Sequence, residues 1–144
     1  MGSMLSTWQA WAILSAIFAA LTAIFAKVGI AGIDSDFATL IRTGVVILAL
    51  AGIVTLMGKW QPPGEIGARS WLFLILSGLA TGASWLCYFR ALQLGEAAKV
   101  APIDKLSVVL VALFGVAFLG ERLAALNWLG VLLIAGGAVL VAVR

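Results

Sequence analysis

Val45-Val46-Ile47-Leu48-Ala49-Leu50-Ala51-Gly52-Ile53-Val54 runs for ten residues without a polar side chain, and Val108 to Leu119 repeats the pattern over twelve. Strands of a transmembrane barrel alternate apolar and polar residues over ~10 positions. Neither run alternates. Both therefore belong to spanning helices, which satisfy their backbone groups inside each segment. Working outward from them, five apolar stretches occupy almost the whole chain: Trp8 to Ile30, Phe37 to Met57, Ser70 to Leu92, Pro102 to Leu119 and Leu126 to Val143. About 20 helical residues rise ~30 Å, the thickness of the hydrocarbon core, so each stretch suffices to cross it. The fold class is an all-α membrane protein of five transmembrane helices.

An odd number of crossings puts the two ends of the chain on opposite sides of the membrane. One copy of five helices makes a poor pathway, and the chain reads as half of a larger assembly. Composition agrees: of 144 residues, 64% are hydrophobic and 10% charged, with a mean hydropathy of +1.19, which no soluble domain shows. The first stretch is too long for the apolar region of a signal peptide, and Met1 to Thr7 carry no Lys or Arg. Met1-Gly2-Ser3-Met4 looks like a cloning scar before a native start at Met4, leaving residues 4–144 as the domain.

The chain contains no His, and its single Cys, Cys87, falls in the middle of the third stretch, where it reads as inert core. An internal disulfide is impossible, and zinc, haem or iron–sulfur sites lack their usual ligands. With no Cys/His or Ser/His pairing and no Gly-rich phosphate loop, the sequence calls for neither an enzyme nor a cofactor. The net charge of +3 and pI near 9.5 come largely from basic residues at span ends, where they meet lipid headgroups rather than nucleic acid.

The connections, about Ala31 to Asp36, Gly58 to Arg69, Gln93 to Ala101 and Gly120 to Ala125, are too short for a separate soluble domain. Gln61-Pro62-Pro63-Gly64 carries the strongest turn chemistry. Asp36 is placed to cap the second span, Pro102 suits the first turn of the fourth, and Asn127 or a neighbour starts the fifth.

A cation at the centre of a spanning helix costs about 2.5 to 3.5 kcal/mol on insertion scales, so each such residue needs a reason. Lys27 follows Ala16, Ala20 and Ala23 on a helical strip of small residues and would point into a bundle. Arg42 follows Asp36 by six residues, and its five-donor fork suits an anion, a carbonyl or a carboxylate. Lys105 follows Pro102-Ile103-Asp104, where the start of a helix favours Asp104 and disfavours a cation. Two arrangements meet these constraints. Asp34, Asp36 and Asp104 could pair with Lys27, Arg42 and Lys105 at one interface, fixing helix ends. Alternatively the cations line a basic pocket for an anionic or zwitterionic solute.

Ser77, Thr81, Ser84 and Tyr88 recur at intervals of four, three and four, sharing one helical face with Trp85 beside them. Such a stripe wants water, a ligand or a neighbouring helix; interhelical hydrogen bonds of this kind contribute ~0.6 kcal/mol each. Trp11, Ser15, Phe18, Thr22 and Phe25 make a second mixed stripe on the first span. Together they could wall a cavity for an organic solute. Gly78 to Gly82 forms a GxxxG, and Gly130 with Gly136-Gly137 gives the last span a face that another helix could approach. Glu121-Arg122 reads as a polar turn.

Phe89-Arg90-Ala91-Leu92-Gln93-Leu94-Gly95, Val100-Ala101-Pro102-Ile103-Asp104-Lys105-Leu106-Ser107, Leu119-Gly120-Glu121-Arg122 and Trp128 to Gly137 strongly resemble the EamA domain of the drug/metabolite transporter superfamily. Phe25-Ala26-Lys27 and Ala38-Thr39-Leu40-Ile41-Arg42-Thr43 resemble its short, single-domain branch, and the match covers all five spans. The resemblance implies a secondary transporter of small organic metabolites, working by alternating access as a homodimer with the last helix at the seam. Its implied location is the plasma membrane of a prokaryote. Lys27, Arg42, Thr81, Ser84, Trp85, Tyr88, Asp104 and Lys105 are the substrate-binding candidates. The alternative is a nontransporting accessory subunit of a larger complex. One departure stands out: proton-coupled small multidrug resistance exporters use a Glu in the first span, whereas this first span has no acid and ends in Lys27.

Charge by side bears on orientation. The N-terminus with the second and fourth connections holds Lys59, Arg69 and Arg122; the other side holds Lys27, Arg42, Arg90, Lys99, Lys105 and Arg144. If Lys27, Arg42 and Lys105 point inward, three charges face three, which permits an antiparallel dimer.

Overall fold

The computed structural model describes residues 7–143, so Met1 to Ser6, including the start expected at Met4, and Arg144 lie outside the described residues. Helices α1 (Trp8–Gly29), α2 (Ser35–Leu56), α3 (Ala68–Leu94), α4 (Ala97–Asp104), α5 (Ser107–Phe118) and α6 (Ala125–Ala142) follow in order, with a 3₁₀ turn at Pro63–Glu65 and no strand among the described residues. Counting Ala97–Phe118 as one span, five segments among the described residues are long and apolar enough to cross a membrane. The apolar runs thus form helices where the sequence places them, and the protein is an all-α membrane protein.

The fourth span departs from expectation. Its helix starts at Ala97, upstream of Pro102, and breaks at Lys105 and Leu106. Pro102 lies inside α4 instead of in a first turn, and without an N–H it cannot donate to the turn before it. Past it the backbone tightens: the Leu106 amide donates to Ile103 at 3.0 Å, Val108 to Lys105 at 3.0 Å and Val109 to Leu106 at 3.0 Å, all three-residue turns. Lys105 consequently caps the C-terminal, negative end of α4, where a cation is favoured. The unfavourable dipole expected for it does not arise.

Two caps also move. Asp34, not Asp36, caps α2: its backbone is extended, and its carboxylate accepts from the amides of Asp36 at 2.9 Å and Phe37 at 3.1 Å. Asp36 sits in the first turn, adding a charge the dipole favours. At α6 the N-cap is Ala124, with no side-chain bond, and Asn127 falls within the helix. The other end of α2 closes on Gly58 at φ 62°, with Gly58 donating to Thr55 at 3.1 Å and Lys59 to Val54 at 3.0 Å. This is the Schellman pattern, which requires the left-handed residue that Gly supplies.

The described residues divide into two compact units, one of residues 7–25 and 94–143, the other Ala26–Gln93. In the first, α6 packs against α4 and α5. There Glu121 folds back on α5: its amide donates to the Gly115 carbonyl at 3.0 Å, and a Cβ on Gly115 would meet its Oε2 at 2.5 Å. In the second, Ile30, Ser35, Thr39, Phe89 and Leu92 are buried, whereas most of α2 beyond Val46 and of α3 before Thr81 is exposed in the isolated subunit. Added Cβ atoms at Gly78, Gly82, Gly130, Gly136 or Gly137 would touch nothing within 4 Å, so these small-residue faces are unoccupied within the subunit.

Candidate functional site

Within the unit Ala26–Gln93, the final turns of α3 meet the α1–α2 corner. A helix leaves its last four carbonyls without intrahelical donors, and in lipid each such group must find another partner. Lys27 Nζ supplies one, donating to the Leu92 carbonyl at 2.6 Å. Leu92 is 0% exposed, so the ammonium reaches into the best-covered point of the unit. Gln93 Nε2 donates to the Ile33 carbonyl at 2.7 Å, while its own Oε1 accepts from Arg90 at 3.2 Å. The two side chains staple the end of α3 to the end of α1 and to the connection that follows it.

About two turns into α2, Arg42 takes a different environment. Its guanidinium carbon lies 3.9 Å from the ring centroid of Trp85 and 5.5 Å from that of Phe89, both on α3 at an i, i+4 spacing. Cation–π attraction at such distances contributes about 0.5 to 2 kcal/mol, more as water is excluded. Arg42 is half-buried, and among the described residues no carboxylate forms an ion pair with it. Tyr88, also half-buried, is near enough to interact with it electrostatically.

The neighbouring stripe of α3 opens onto a cleft of ≈ 330 Å³ lined by Asp34, Ser35, Asp36, Leu86, Cys87 and Arg90. Its size falls in the range of small-molecule sites, about 300 to 1,000 Å³. Of its lining residues, Ser35 Oγ donates to Asp36 Oδ1 at 3.4 Å. Cys87 is exposed in this cleft instead of inert in a core.

Of the residues singled out from sequence, the structure thus brings Arg42, Trp85 and Tyr88 together, with Lys27 at the stapled end of the same unit. Thr81 and Ser84 are exposed one turn and less before Trp85, and the Thr81 hydroxyl donates to the Ser77 carbonyl of its own helix at 2.8 Å. Asp104 and Lys105 belong to the other unit, where they pair with each other at 3.1 Å. Phe89, Arg90 and the Asp34-Ser35-Asp36 corner escaped the sequence reading as site residues. The i, i+4 spacing of Trp85 with Phe89 and of Leu86 with Arg90 was the available signal.

Comparison with known proteins bears on what such a unit does. Residues 6–143 match the EamA-like transporter family. A curated protein of Sinorhizobium sp., described as an uncharacterized transporter in the cobO 3′ region, is 68% identical over 140 residues, covering 97% of this chain and 99% of its own. No solved structure matches. Five membrane-length helices among the described residues and a family match over nearly the entire length lead to one conclusion: the chain belongs to the EamA-like transporter family and is an integral membrane transporter.

Proposed function

We propose that this protein is a secondary carrier of small organic metabolites that works by alternating access as a dimer, in the plasma membrane of a bacterium. The observation that carries the reading is Arg42, a permanent cation held inside a span on two aromatic rings, with no acid among the described residues paired to it. An anchoring charge has no need of that arrangement. A polar surface at this depth serves a solute that must leave water and return to it. The dimer is supported by the odd helix count and by the unoccupied glycine faces, α6 among them. Near-balanced flanking charge and inverted repeats in transporter architectures favour an antiparallel pair.

Reconstitution into proteoliposomes tests the reading. A screen of amino acids, organic acids and amines should yield at least one solute that exchanges across the membrane and raises the melting temperature of the purified protein by linkage. A protein that binds and moves none of them is an accessory subunit instead. Cysteine at Gly136, in a Cys87→Ala background, should crosslink two copies through α6, and reporters fused after Arg144 should signal from both compartments. Signal from one compartment with parallel α6 crosslinks rules out the antiparallel pair.

A further inference from the structure

Four cations of this chain, Lys27, Arg42, Arg90 and Lys105, could meet a solute, and the structure treats them differently: Arg90 is engaged by Gln93 Oε1 at 3.2 Å. Lys27 is engaged by the Leu92 carbonyl at 2.6 Å, and Lys105 by Asp104 at 3.1 Å. Arg42 has only ring faces, at 3.9 Å for Trp85 and 5.5 Å for Phe89. An aromatic face favours the charge of a guanidinium but cannot accept the N–H groups that project from its edge. Those donors need an oxygen acceptor, and among the described residues none hydrogen-bonds to them. The pair is therefore built for an acceptor that arrives from outside.

We infer that Arg42, backed by Trp85 and Phe89, is the anion subsite of the carrier, and that the solute is an organic monoanion presenting a carboxylate. The inference rests on the carrier reading above and narrows its substrate class. Geometry favours a carboxylate because the planar fork of Arg matches two coplanar oxygens. Charge favours a monoanion: one unpaired cation neutralises one negative charge, whereas a phosphate dianion carries the surplus into the span. Asp34 and Asp36, at the start of the same helix, oppose that surplus further. A cationic amine without an acid group meets repulsion from Arg42 and gains nothing from rings already covered by it.

Thermal unfolding of the purified protein tests this without requiring transport. Sodium benzoate and sodium hexanoate are compared with benzamide and hexanamide, and with inorganic phosphate, at ionic strength held constant with sodium chloride. The carboxylates should raise the melting temperature in a saturable way, the amides should not, and phosphate should act more weakly. Arg42→Lys keeps the charge and loses the fork, so its apparent affinity for the carboxylates should fall roughly tenfold or more. Lys59→Gln should respond as the parent does. Amides that stabilise as well as their acids, phosphate that outperforms both carboxylates, no response to either carboxylate, or an Arg42→Lys protein with parental affinity would each overturn the inference. Arg42→Gln adds a complete loss of response if it folds; Arg42→Lys decides the matter if it does not. Carboxylate binding without any uptake into proteoliposomes would leave the subsite standing and remove the carrier. Uptake of an amine with no carboxylate response would do the reverse.

Discussion

Replacing Lys27 by Met removes one charge and keeps an unbranched side chain of similar length. In the parent the ammonium donates to the Leu92 carbonyl at 2.6 Å, and Leu92 is 0% exposed. A hydrogen bond to a charged group contributes about 1.5 to 3 kcal/mol, and the carbonyl left behind is one of the orphans at the end of α3, with no water at hand. Met also spares the cost of burying a cation, which offsets part of the loss. The expected net is about 2 kcal/mol, or a melting temperature lower by about 4 to 8 °C for a chain of this size. Intrinsic fluorescence of the six Trp in the chain follows unfolding in detergent. Hydrogen exchange should localise the loss to the last turn of α3 and the α1–α2 corner, and Lys27→Arg should recover most of it. A Lys27→Met protein that melts with the parent, or whose exchange quickens evenly along every helix, refutes the staple.

Other substitutions separate the remaining elements. Asp34→Ala removes a cap with two amide bonds, at 2.9 and 3.1 Å, and should cost about 1 kcal/mol in chemical or thermal unfolding, whereas Asp36→Ala should cost less than half of that. Gly58→Ala forces a side chain into the left-handed conformation at φ 62° and should lower stability by about 1 kcal/mol even though its Cβ meets nothing. Cys87, exposed in the cleft beside Arg90, should react with a membrane-impermeant thiol reagent, and full protection in intact and permeabilised vesicles would contradict that cleft.

The five spans were legible because continuous apolar runs leave a bilayer chain few alternatives, and Val45 to Val54 admits no other reading. Their ends were less so. Asp34 and Asp36 both suit an N-cap, and only the extended backbone at Asp34 decides between them. Pro102 is equally at home in a first turn and at a helix break; the small residues Ala97, Ala98 and Ala101 let the helix begin earlier than hydropathy shows. At the candidate site, Arg42 was conspicuous as a charge in an apolar run, but Trp85 lies far along the chain and on another helix. No local pattern encodes that meeting. The same holds for Lys27, whose partner is a backbone carbonyl and so leaves no trace in residue identity.

The break between α4 and α5 bears on how the chain enters a membrane at all. Eight residues of α4 rise about 12 Å and twelve of α5 about 18 Å, so neither piece alone crosses a core of ~30 Å. Insertion machinery must accept Ala97–Phe118 as a single 22-residue segment on its total hydropathy. The discontinuity then has no part in whether the segment is accepted. Substitutions that straighten the segment, such as Pro102→Ala, should therefore leave insertion yield untouched and change only what the protein does once it is there.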